Sequence, residues 1–309
     1  MAPSAPPFVD ADELARILPM EAAVDALDRA FGGELPQAPP RSHLDVGNGD
    51  LLLMPAWDDR NAGVKLVTAA PGNPDRGLPL IHGIYVLFDG STLAPVALFD
   101  AGALTAVRTA AVSAVATRHL ARKNSTNLVI FGAGVQASSH LDAMLAVLDI
   151  DRVTVVSRGR GRADGLVHRA RGAGCDASIG GPETVSAADV VCTCTTSREP
   201  LFDGAKLRHG AHVNAVGSYK RDARELDEVS IERARVFVDT EMALKESGDL
   251  QFPLNEGILQ AGQVTTLHDL VATGTGRASD DEITVFKSVG AAFEDLVVAR
   301  VAAERLQKR

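Results

Sequence analysis

A glycine-rich segment near the middle of the chain has the spacing of a pyrophosphate-binding turn. Leu128 to Phe131 is a short apolar run, typical of a strand buried on both faces of a parallel sheet. Gly132, Gly134 and Ala137 follow in the pattern G-x-G-x-x-A, and apolar residues then recur at helical period. Such glycines allow a tight turn and a close approach of the backbone, and the helix N-terminus offers N–H groups to phosphate. The segment predicts a dinucleotide site that includes Gly132, Ala133, Gly134, Val135 and Gln136; the alternative is a turn that binds nothing.

The residues about twenty positions further on distinguish the two nicotinamide cofactors. In NAD-binding proteins an acidic side chain at the end of the second strand binds the ribose 2′-OH. Here Ser157 stands at that place, and Arg158 and Arg162 follow it. A hydroxyl and guanidinium groups suit a 2′-phosphate instead. The sequence therefore favours NADP(H), with NAD(H) possible; the alternative interpretation is a solvated basic loop without a ligand.

Three cations in the first part of the chain could hold an anion. Arg41 follows a proline-rich linker, Lys65 lies in an otherwise apolar strand, and Arg108 lies within an alanine-rich helix. A charge in apolar surroundings is costly unless it is paired, so Lys65 and Arg108 need an anionic partner. A substrate carboxylate is a natural one, and we expect an anion-binding wall facing the nicotinamide. His82, in the predicted strand near Lys65, could line the same pocket, although a buried core histidine is the favoured interpretation.

Two groups of elements must position these residues. Closely spaced strand patterns without intervening helices predict an antiparallel or mixed sheet, over 51–55, 64–69, 81–88 and 95–99. A long helix over 103–120 follows. From Asn127 onwards strands alternate with helices, which predicts a parallel sheet with strands at 128–131, 153–156, 190–195, 212–216 and 236–238. The last helix is predicted over 283–306.

The predicted fold class is therefore α/β, with two domains. Residues 119–282 form a Rossmann-type, doubly wound parallel sheet that binds the cofactor. Residues 1–118 together with 283–309 form an α+β domain for substrate binding and dimerisation. The last helix is longer than a Rossmann half requires, so we expect it to return to the first domain or to a partner subunit.

The composition is that of a globular protein without affinity for polyanions. The chain has 309 residues, 46% of them hydrophobic and 23% charged, and its net charge of −9 argues against nucleic-acid and acidic-membrane binding. Cys192 and Cys194 stand in an apolar run and are interpreted as core residues, with metal or redox ligands as the alternative. The histidines are scattered, so no metal site is predicted. The N-terminus lacks a signal-peptide pattern, and a cytoplasmic location is expected.

Seven segments are distributed over nearly the whole chain: LLLMPAW, GVKLVT, LTAVRTAAVSAVAT, VIFGAGVQA, VNAVGS, REL and VFKSVG. Together they resemble the ornithine cyclodeaminase and mu-crystallin family. The resemblance implies a homodimer whose first domain binds the substrate. It also implies that Arg108 and Lys65 contact the substrate carboxylate or the reacting nitrogen, with Arg41 a third contact. The resemblance further implies that Thr109 lies near the cofactor phosphates or ribose, and that Val216, Ser218 and Gly290 lie beside the nicotinamide. Thr195 is also expected in the cofactor site.

One departure from the family pattern bears on the reaction. The cyclodeaminases and alanine dehydrogenases of the family have an aspartate two residues beyond the glycine of VNAVG. Here Gly217 is followed by Ser218 and Tyr219, so that carboxylate is absent. Asp222 and Glu225 are too far along the chain to place a general base from sequence alone. Tyr219 could donate a proton to an imine nitrogen, although a role in the pocket wall is favoured.

The leading hypothesis is an NADPH-dependent reductase of a small cyclic imine carboxylate, Δ1-pyrroline-2-carboxylate or Δ1-piperideine-2-carboxylate. Lys65 and Arg108 are its expected catalytic residues; Arg41, Tyr219 and His82 complete the expected substrate contacts. Lys65, with a pKa lowered by neighbouring cations, is the expected proton donor. Ornithine cyclodeamination with bound NAD+ is the alternative, and alanine dehydrogenase is a less favoured one. A non-catalytic protein that binds NADPH and a small anion is the alternative of another class.

Overall fold

The computed structural model describes residues 5–218 and 220–308. Tyr219, a predicted substrate contact, lies outside the described residues. Among those that are described, no helix combines the length and the apolar character that crossing a membrane would require.

The secondary structure begins with elements typical of an α+β unit and continues with alternating strands and helices. The first part contains β1 (Phe8–Val9), α1 (Ala11–Ile17), α2 (Met20–Phe31), β2 (Ser42–Asp45), β3 (Asp50–Trp57), β4 (Asn61–Ala69), β5 (Ile81–Asp89), β6 (Pro95–Asp100) and α3 (Ala101–Leu120). The second contains β7 (Asn127–Phe131), α4 (Val135–Leu145), β8 (Arg152–Val156), α5 (Arg160–Gly172), β9 (Asp176–Ile179), β10 (Val190–Thr193), β11 (His212–Ala215), α6 (Glu228–Glu232), β12 (Ala234–Val238), α7 (Ala243–Glu246), α8 (Gly248–Asn255), β13 (Thr265–Thr266), α9 (Leu267–Thr273), β14 (Ile283–Lys287) and α10 (Ala292–Leu306).

The chain divides into two compact units. The first contains Met1–Ala30, Glu34–Arg108 and Ala291–Arg309, and the second contains Phe31–Gly33 and Thr109–Gly290. The unit boundaries therefore fall within α3 and just before α10, whereas the sequence placed the domain ends at residues 118 and 282. The assignment of substrate binding and dimerisation to the first domain stays a prediction.

The first unit is built on a mixed sheet with the strand order β1-β6-β5-β4-β3-β2. β1 runs parallel to β6, and the other neighbours are antiparallel. Met54, Lys65, Tyr85 and Phe99 are successive register partners across four strands and are all buried. α10 packs on β3 and β4. Because side chains alternate along a strand, these four residues, the Lys65 row, share one face of the sheet. Lys65 is buried because its apolar neighbours in the row pack in the core.

The second unit is a parallel sheet with the strand order β13-β12-β14-β11-β10-β7-β8-β9. Its central strands β7, β10, β11 and β14 are short and almost wholly buried, as expected where helices cover both faces. Two successive strands, β8 and β9, extend the sheet on one side of β7, and β10 and β11 extend it on the other. The order of strands thus reverses between β7 and β10, the place at which doubly wound sheets bind their ligands. The predicted Rossmann-type α/β fold is confirmed.

The prediction of one continuous helix over 283–306 is wrong at its beginning. Residues Ile283–Lys287 form β14, which lies within the parallel sheet between β11 and β12. Gly290, with a φ of 81°, ends the extended segment before α10 begins at Ala292. The apolar residues at 285, 289 and 293 have helical spacing, but the run ITVFK is equally a buried strand, and β-branched residues favour the strand.

The strand predicted over 190–195 is also shorter than expected. β10 ends at Thr193, so Cys192 is buried within the strand and Cys194 follows it, half-buried. Thr195 accordingly lies in the loop that leaves the carboxyl end of the sheet, and its side chain can take part in a site there.

Candidate functional site

The turn between β7 and α4 has the backbone geometry that the glycine pattern requires. Gly132 has a φ of 105°, and a Cβ on it would lie 2.6 Å from the carbonyl oxygen of Cys194. No side chain could be accommodated there without moving the backbone. Gly134 precedes α4 as its N-cap, and a Cβ on it would meet nothing within 4 Å. The turn therefore presents an open backbone edge at the carboxyl end of β7.

The polar groups at this turn fit a dinucleotide. Within the part of the chain that the structure describes, no side chain caps the first N–H groups of α4. The side-chain oxygen of Gln136 is buried and has no hydrogen-bond donor among the described residues. Val135 is an exposed apolar side chain in the same turn. Free N–H groups at the positive end of a helix suit a pyrophosphate, so Gly132 to Gln136 could hold the cofactor as predicted.

The structure brings Ser157 and the following arginines together after β8. The Ser157 hydroxyl accepts a hydrogen bond from the Gly159 N–H at 3.3 Å. The guanidinium of Arg162 folds back towards this turn, with Nε 3.9 Å from the position of a Cβ on Gly159. Both Arg158 and Arg162 are exposed. A hydroxyl and two solvent-accessible guanidinium groups at this place could bind a phosphate.

Glu225 joins the loops that follow β10 and β11. Its Oε1 accepts hydrogen bonds from the backbone N–H of Thr195 at 2.8 Å and from the Thr195 hydroxyl at 2.7 Å. Its Oε2 accepts from the Thr193 hydroxyl at 2.7 Å and from the Gly217 N–H at 2.8 Å. A Cβ on Gly217 would lie 2.1 Å from the Thr195 carbonyl oxygen, so only glycine allows the two loops to approach. The sequence did not indicate this connecting role of Glu225.

The hydroxyl groups of Thr195 and Ser218 are both used inside the protein. Thr195 donates to Glu225, and the Ser218 hydroxyl donates to the Ala223 carbonyl oxygen at 2.5 Å. Val216 lies half-buried between these two positions in the chain. The predicted cofactor contacts Thr195, Val216 and Ser218 thus lie in the loops that follow β10 and β11, and internal hydrogen bonds hold these loops in place.

A second buried ion pair supports the same loops. Lys287 in β14 lies 2.8 Å from Asp249 Oδ2, with both side chains fully buried, and its ammonium also donates to the Ser218 carbonyl oxygen. Asp249 Oδ1 accepts the backbone N–H groups of Glu225 and Leu226 at 2.6 and 2.9 Å. Burial raises the pKa of Glu225, and the positive charge of Lys287 opposes that rise. Neither Asp249 nor Lys287 was predicted as a site residue. Lys287 had been assigned to the last helix and not to a strand of the sheet.

Asp239 anchors the segment that contains Gly290. Its Oδ2 accepts hydrogen bonds from the Ser288 hydroxyl at 2.8 Å and from the N–H groups of Val289 and Gly290 at 2.7 and 2.6 Å. Gly290 itself is buried. Thr109, the remaining predicted cofactor contact, is buried within α3.

In the first unit, Lys65 is a buried ammonium with two hydrogen-bond partners. Its Nζ lies 2.7 Å from Asp295 Oδ2 and 3.3 Å from the Thr105 hydroxyl, and the residue is 3% exposed. Burial lowers the pKa of Lys65 to about 8, helped by the positive charge of Arg108 and opposed by Asp295. An ammonium has three donors, and the partners among the described residues accept two of them. Lys65 can therefore offer its third donor to a ligand.

The anionic partners that the sequence required are supplied by α10. Arg108 Nη1 lies 2.7 Å from Glu294 Oε2, and Arg108 Nε lies 3.3 Å from Asp295 Oδ1. Because the chain itself compensates both cations, their burial alone does not require an anionic substrate. Glu294 and Asp295 were missed by sequence analysis. The available signal was two adjacent acids in an otherwise apolar helix, FEDLVV, a place where unpaired charge would be costly.

The other residues expected in the first unit lie at different depths. Arg41 is half-buried and immediately precedes β2, whose first residue, Ser42, pairs with Leu53. Arg41 is thereby adjacent to the strand row that contains Lys65. His82 is exposed, so its interpretation as a buried core histidine is wrong. Tyr85, opposite Lys65, is fully buried, and burial together with the negative charge of Asp295 raises its pKa well above the usual range.

Comparisons with known proteins place the chain among nicotinamide-binding relatives of similar length. Residues 9–309 match the ornithine cyclodeaminase/mu-crystallin family. A Δ1-pyrroline-2-carboxylate reductase of Bacillus cereus is 38% identical over 290 residues, which cover 90% of this chain and 89% of the relative. The structure of the Thermococcus litoralis Δ1-pyrroline-2-carboxylate reductase in complex with NADH and L-proline has a TM-score of 0.90, 35% identity and 97% coverage of each chain. An archaeal alanine dehydrogenase dimer with bound NAD has a TM-score of 0.91 and 33% identity, covering 98% of this chain and 96% of its own.

Proposed function

This chain belongs to the ornithine cyclodeaminase/mu-crystallin family and is a nicotinamide-dependent oxidoreductase, and we propose that it reduces a small cyclic imine carboxylate with NADPH. The proposed substrates are Δ1-pyrroline-2-carboxylate and Δ1-piperideine-2-carboxylate, and the product is the corresponding cyclic amino acid. Bound NADPH supplies a hydride to the imine carbon. The chain must hold the carboxylate, orient the C=N bond and deliver one proton to the nitrogen.

Lys65 is the proposed proton donor. Its ammonium is buried, is oriented by Asp295 and Thr105, and keeps one N–H for a ligand. A pKa of about 8 is close to neutral pH, and an acid transfers its proton most effectively when its pKa is near the working pH. The observation that carries the proposal is this buried ammonium, which two partners orient and which has a third N–H to donate.

Arg108 and Arg41 are the proposed carboxylate contacts. Glu294 and Asp295 fix the guanidinium of Arg108 through two of its nitrogens. Because the side chain is already ordered, binding a ligand costs less side-chain conformational entropy. The two cations and two carboxylates of this cluster balance in charge. Arg41, next to the same strand row, would add the further positive charge that an anionic substrate favours.

The proposed activity is tested by following NADPH consumption with each imine, and repeating the measurement with NADH. Imine-dependent oxidation of NADPH, with formation of proline or pipecolate, is the expected result. L-Ornithine with NAD+ is assayed in parallel for ammonia. Ammonia release with inactive imines would instead establish cyclodeamination, and tight binding of NADPH without turnover of any substrate would indicate a binding protein. Either result would contradict the reductase.

The preference for NADPH predicts the effect of a single substitution after β8. Replacing Ser157 by Asp puts a carboxylate where a 2′-phosphate would lie, so repulsion should weaken NADPH binding while the ribose 2′-OH of NADH gains an acceptor. We expect the ratio of kcat/KM for NADPH to that for NADH to fall by on the order of 100-fold. Arg152→Ala, which removes an exposed arginine at the opposite end of the same strand, is the control and should leave the ratio unchanged. A wild-type enzyme that prefers NADH would contradict the assignment.

The outer face of the first unit's sheet predicts self-association. Leu53, Leu66 and Ile84 are neighbours across three strands on the face opposite Lys65, and Ile84 is exposed. An exposed apolar sheet face of this kind marks an interface. We propose that it joins two copies of the chain, and expect a particle of twice 32.4 kDa by light scattering.

Ile84→Glu should convert this dimer to a monomer at micromolar concentration, because it buries a charge in the interface. The matched control is Leu93→Glu, which places the same charge at an exposed turn between β5 and β6. A monomeric wild-type protein, or a dimer that Leu93→Glu disrupts as strongly, would contradict this interface.

A further inference from the structure

Three buried ionisable side chains at the carboxyl ends of β10 and β11 do not balance in charge. Glu225, Asp249 and Lys287 are each 0 or 1% exposed. The Lys287 ammonium pairs with Asp249, and no further cation pairs with either carboxylate among residues 5–218 and 220–308. Both oxygens of Glu225 accept one backbone N–H and one hydroxyl, which is a donor set suited to the ionised form. With both carboxylates ionised and the Lys287 amine protonated, the cluster carries one net negative charge.

The position of this charge follows from the strand order. The dinucleotide turn lies after β7, and Ser157, which marks the adenosine side, lies after β8. In a doubly wound sheet the cofactor crosses the point where the strand order reverses, so its nicotinamide end belongs to the side of β10 and β11. Glu225 is bonded to Thr193, the last residue of β10, and to Gly217, two residues beyond β11. Glu225 therefore lies at the nicotinamide side of the sheet.

We propose that the negative charge of the Glu225 carboxylate makes the site prefer the oxidised nicotinamide to the reduced one. The inference rests on the proposed nicotinamide chemistry. The oxidised ring is a cation and the reduced ring is neutral, so a nearby negative charge in a site with little water stabilises the oxidised form selectively. Positive charge also develops on the ring as a hydride departs, and the same field lowers that barrier.

The positive charge of Lys287 must have the opposite effect on the preference for oxidised cofactor. This difference distinguishes an electrostatic role of Glu225 from a purely structural one. Removing the Glu225 charge takes the cluster from one net negative charge to zero, and removing the Lys287 charge takes it to two. An electrostatic effect therefore shifts the preference for oxidised over reduced cofactor in opposite directions in the two variants. A loosened loop would weaken the binding of both cofactor forms in both variants and leave their ratio unchanged.

The experiment measures the dissociation constants of NADP+ and NADPH separately, without substrate, for the full-length wild type, Glu225→Gln and Lys287→Met. The ratio of the NADP+ constant to the NADPH constant should rise by on the order of tenfold in Glu225→Gln and fall in Lys287→Met. Asp249→Asn removes the other negative charge and should also raise the ratio, so the inference remains testable if Glu225→Gln does not fold.

Asp189→Asn is the matched control. Asp189 is also a buried, ion-paired carboxylate, but it accepts N–H groups of Thr126 and Asn127 and pairs with Arg122 at the amino ends of the same strands. This substitution should leave the ratio at its wild-type value. Equal ratios in wild type, Glu225→Gln and Lys287→Met, or shifts in the same direction, would overturn the inference while leaving the reductase proposal intact. Failure of the wild type to bind either form would instead remove the proposed cofactor chemistry itself.

Discussion

Replacing Lys65 by Met is expected to lower kcat for imine reduction by about 1,000-fold or more. Loss of a positioned proton donor lowers a rate by about 100- to 10,000-fold, and a substrate contact is lost with it. Methionine nearly preserves the volume and the apolar stem of lysine but has no proton to donate. The dissociation constant for NADPH should remain within about twofold of wild type, because the predicted phosphate contacts belong to the β7–α4 turn. Lys206→Met, which removes an exposed lysine, is the control and should retain full activity.

The same role predicts the pH dependence of the wild-type enzyme. The donor is the ammonium form, and the pKa of Lys65 is lowered to about 8 by burial. As the pH rises through about 8 the ammonium loses its proton, so kcat/KM should fall on the alkaline side. Retention of near wild-type turnover in Lys65→Met, or a rate that is constant well above pH 8, would sink the assignment of Lys65 as the proton donor.

The parts of the fold that sequence could predict are those whose signal is local. The glycine turn at residues 132–134 combines a strand, two glycines and a helix within a short segment, and each requirement is visible in neighbouring residues. β14 shows why a local signal is not always sufficient. Its apolar residues satisfy both periods over a few positions, and its place in the sheet is decided by β11 and β12, which are distant in the chain.

The candidate site could be predicted only in part for the same reason. Lys65 and Arg108 stood out because each is a charge in apolar surroundings, which is a local property. Their partners Asp295 and Glu294 are 230 and 186 residues away in sequence, and only the return of α10 to the first unit brings them close. Glu225 was noticed as an acid near the missing aspartate, but its role depends on loops from two separate strands. Lys65 and Arg108 were thus easier to identify from sequence than the carboxylates that fix them.

Replacing Asp295 by Asn should therefore destabilise the protein by about 3–5 kcal/mol, more than any surface substitution. The substitution removes the carboxylate that pairs with two buried cations and leaves the cations in place. Asp295 is fully buried, lies 2.7 Å from the Lys65 ammonium and is 3.3 Å from Arg108 Nε. Asparagine preserves the shape and one acceptor, so the loss reports charge. Urea unfolding provides the measurement, with Asp222→Asn, an exposed ion-pair carboxylate, expected to change stability by less than about 1 kcal/mol.

A double variant separates the ion pair from simple loss of packing. Lys65→Met removes the cation that Asp295→Asn leaves unpaired, so the double variant should be more stable than the sum of the two single effects by about 1–3 kcal/mol. Strict additivity would show that the pair does not act as a unit. The pH profile provides a second readout: Asp295 raises the pKa of Lys65, so without it that pKa should fall below about 8. In Asp295→Asn the alkaline loss of kcat/KM should accordingly begin at a lower pH than in wild type, an effect that a merely loosened core would not produce.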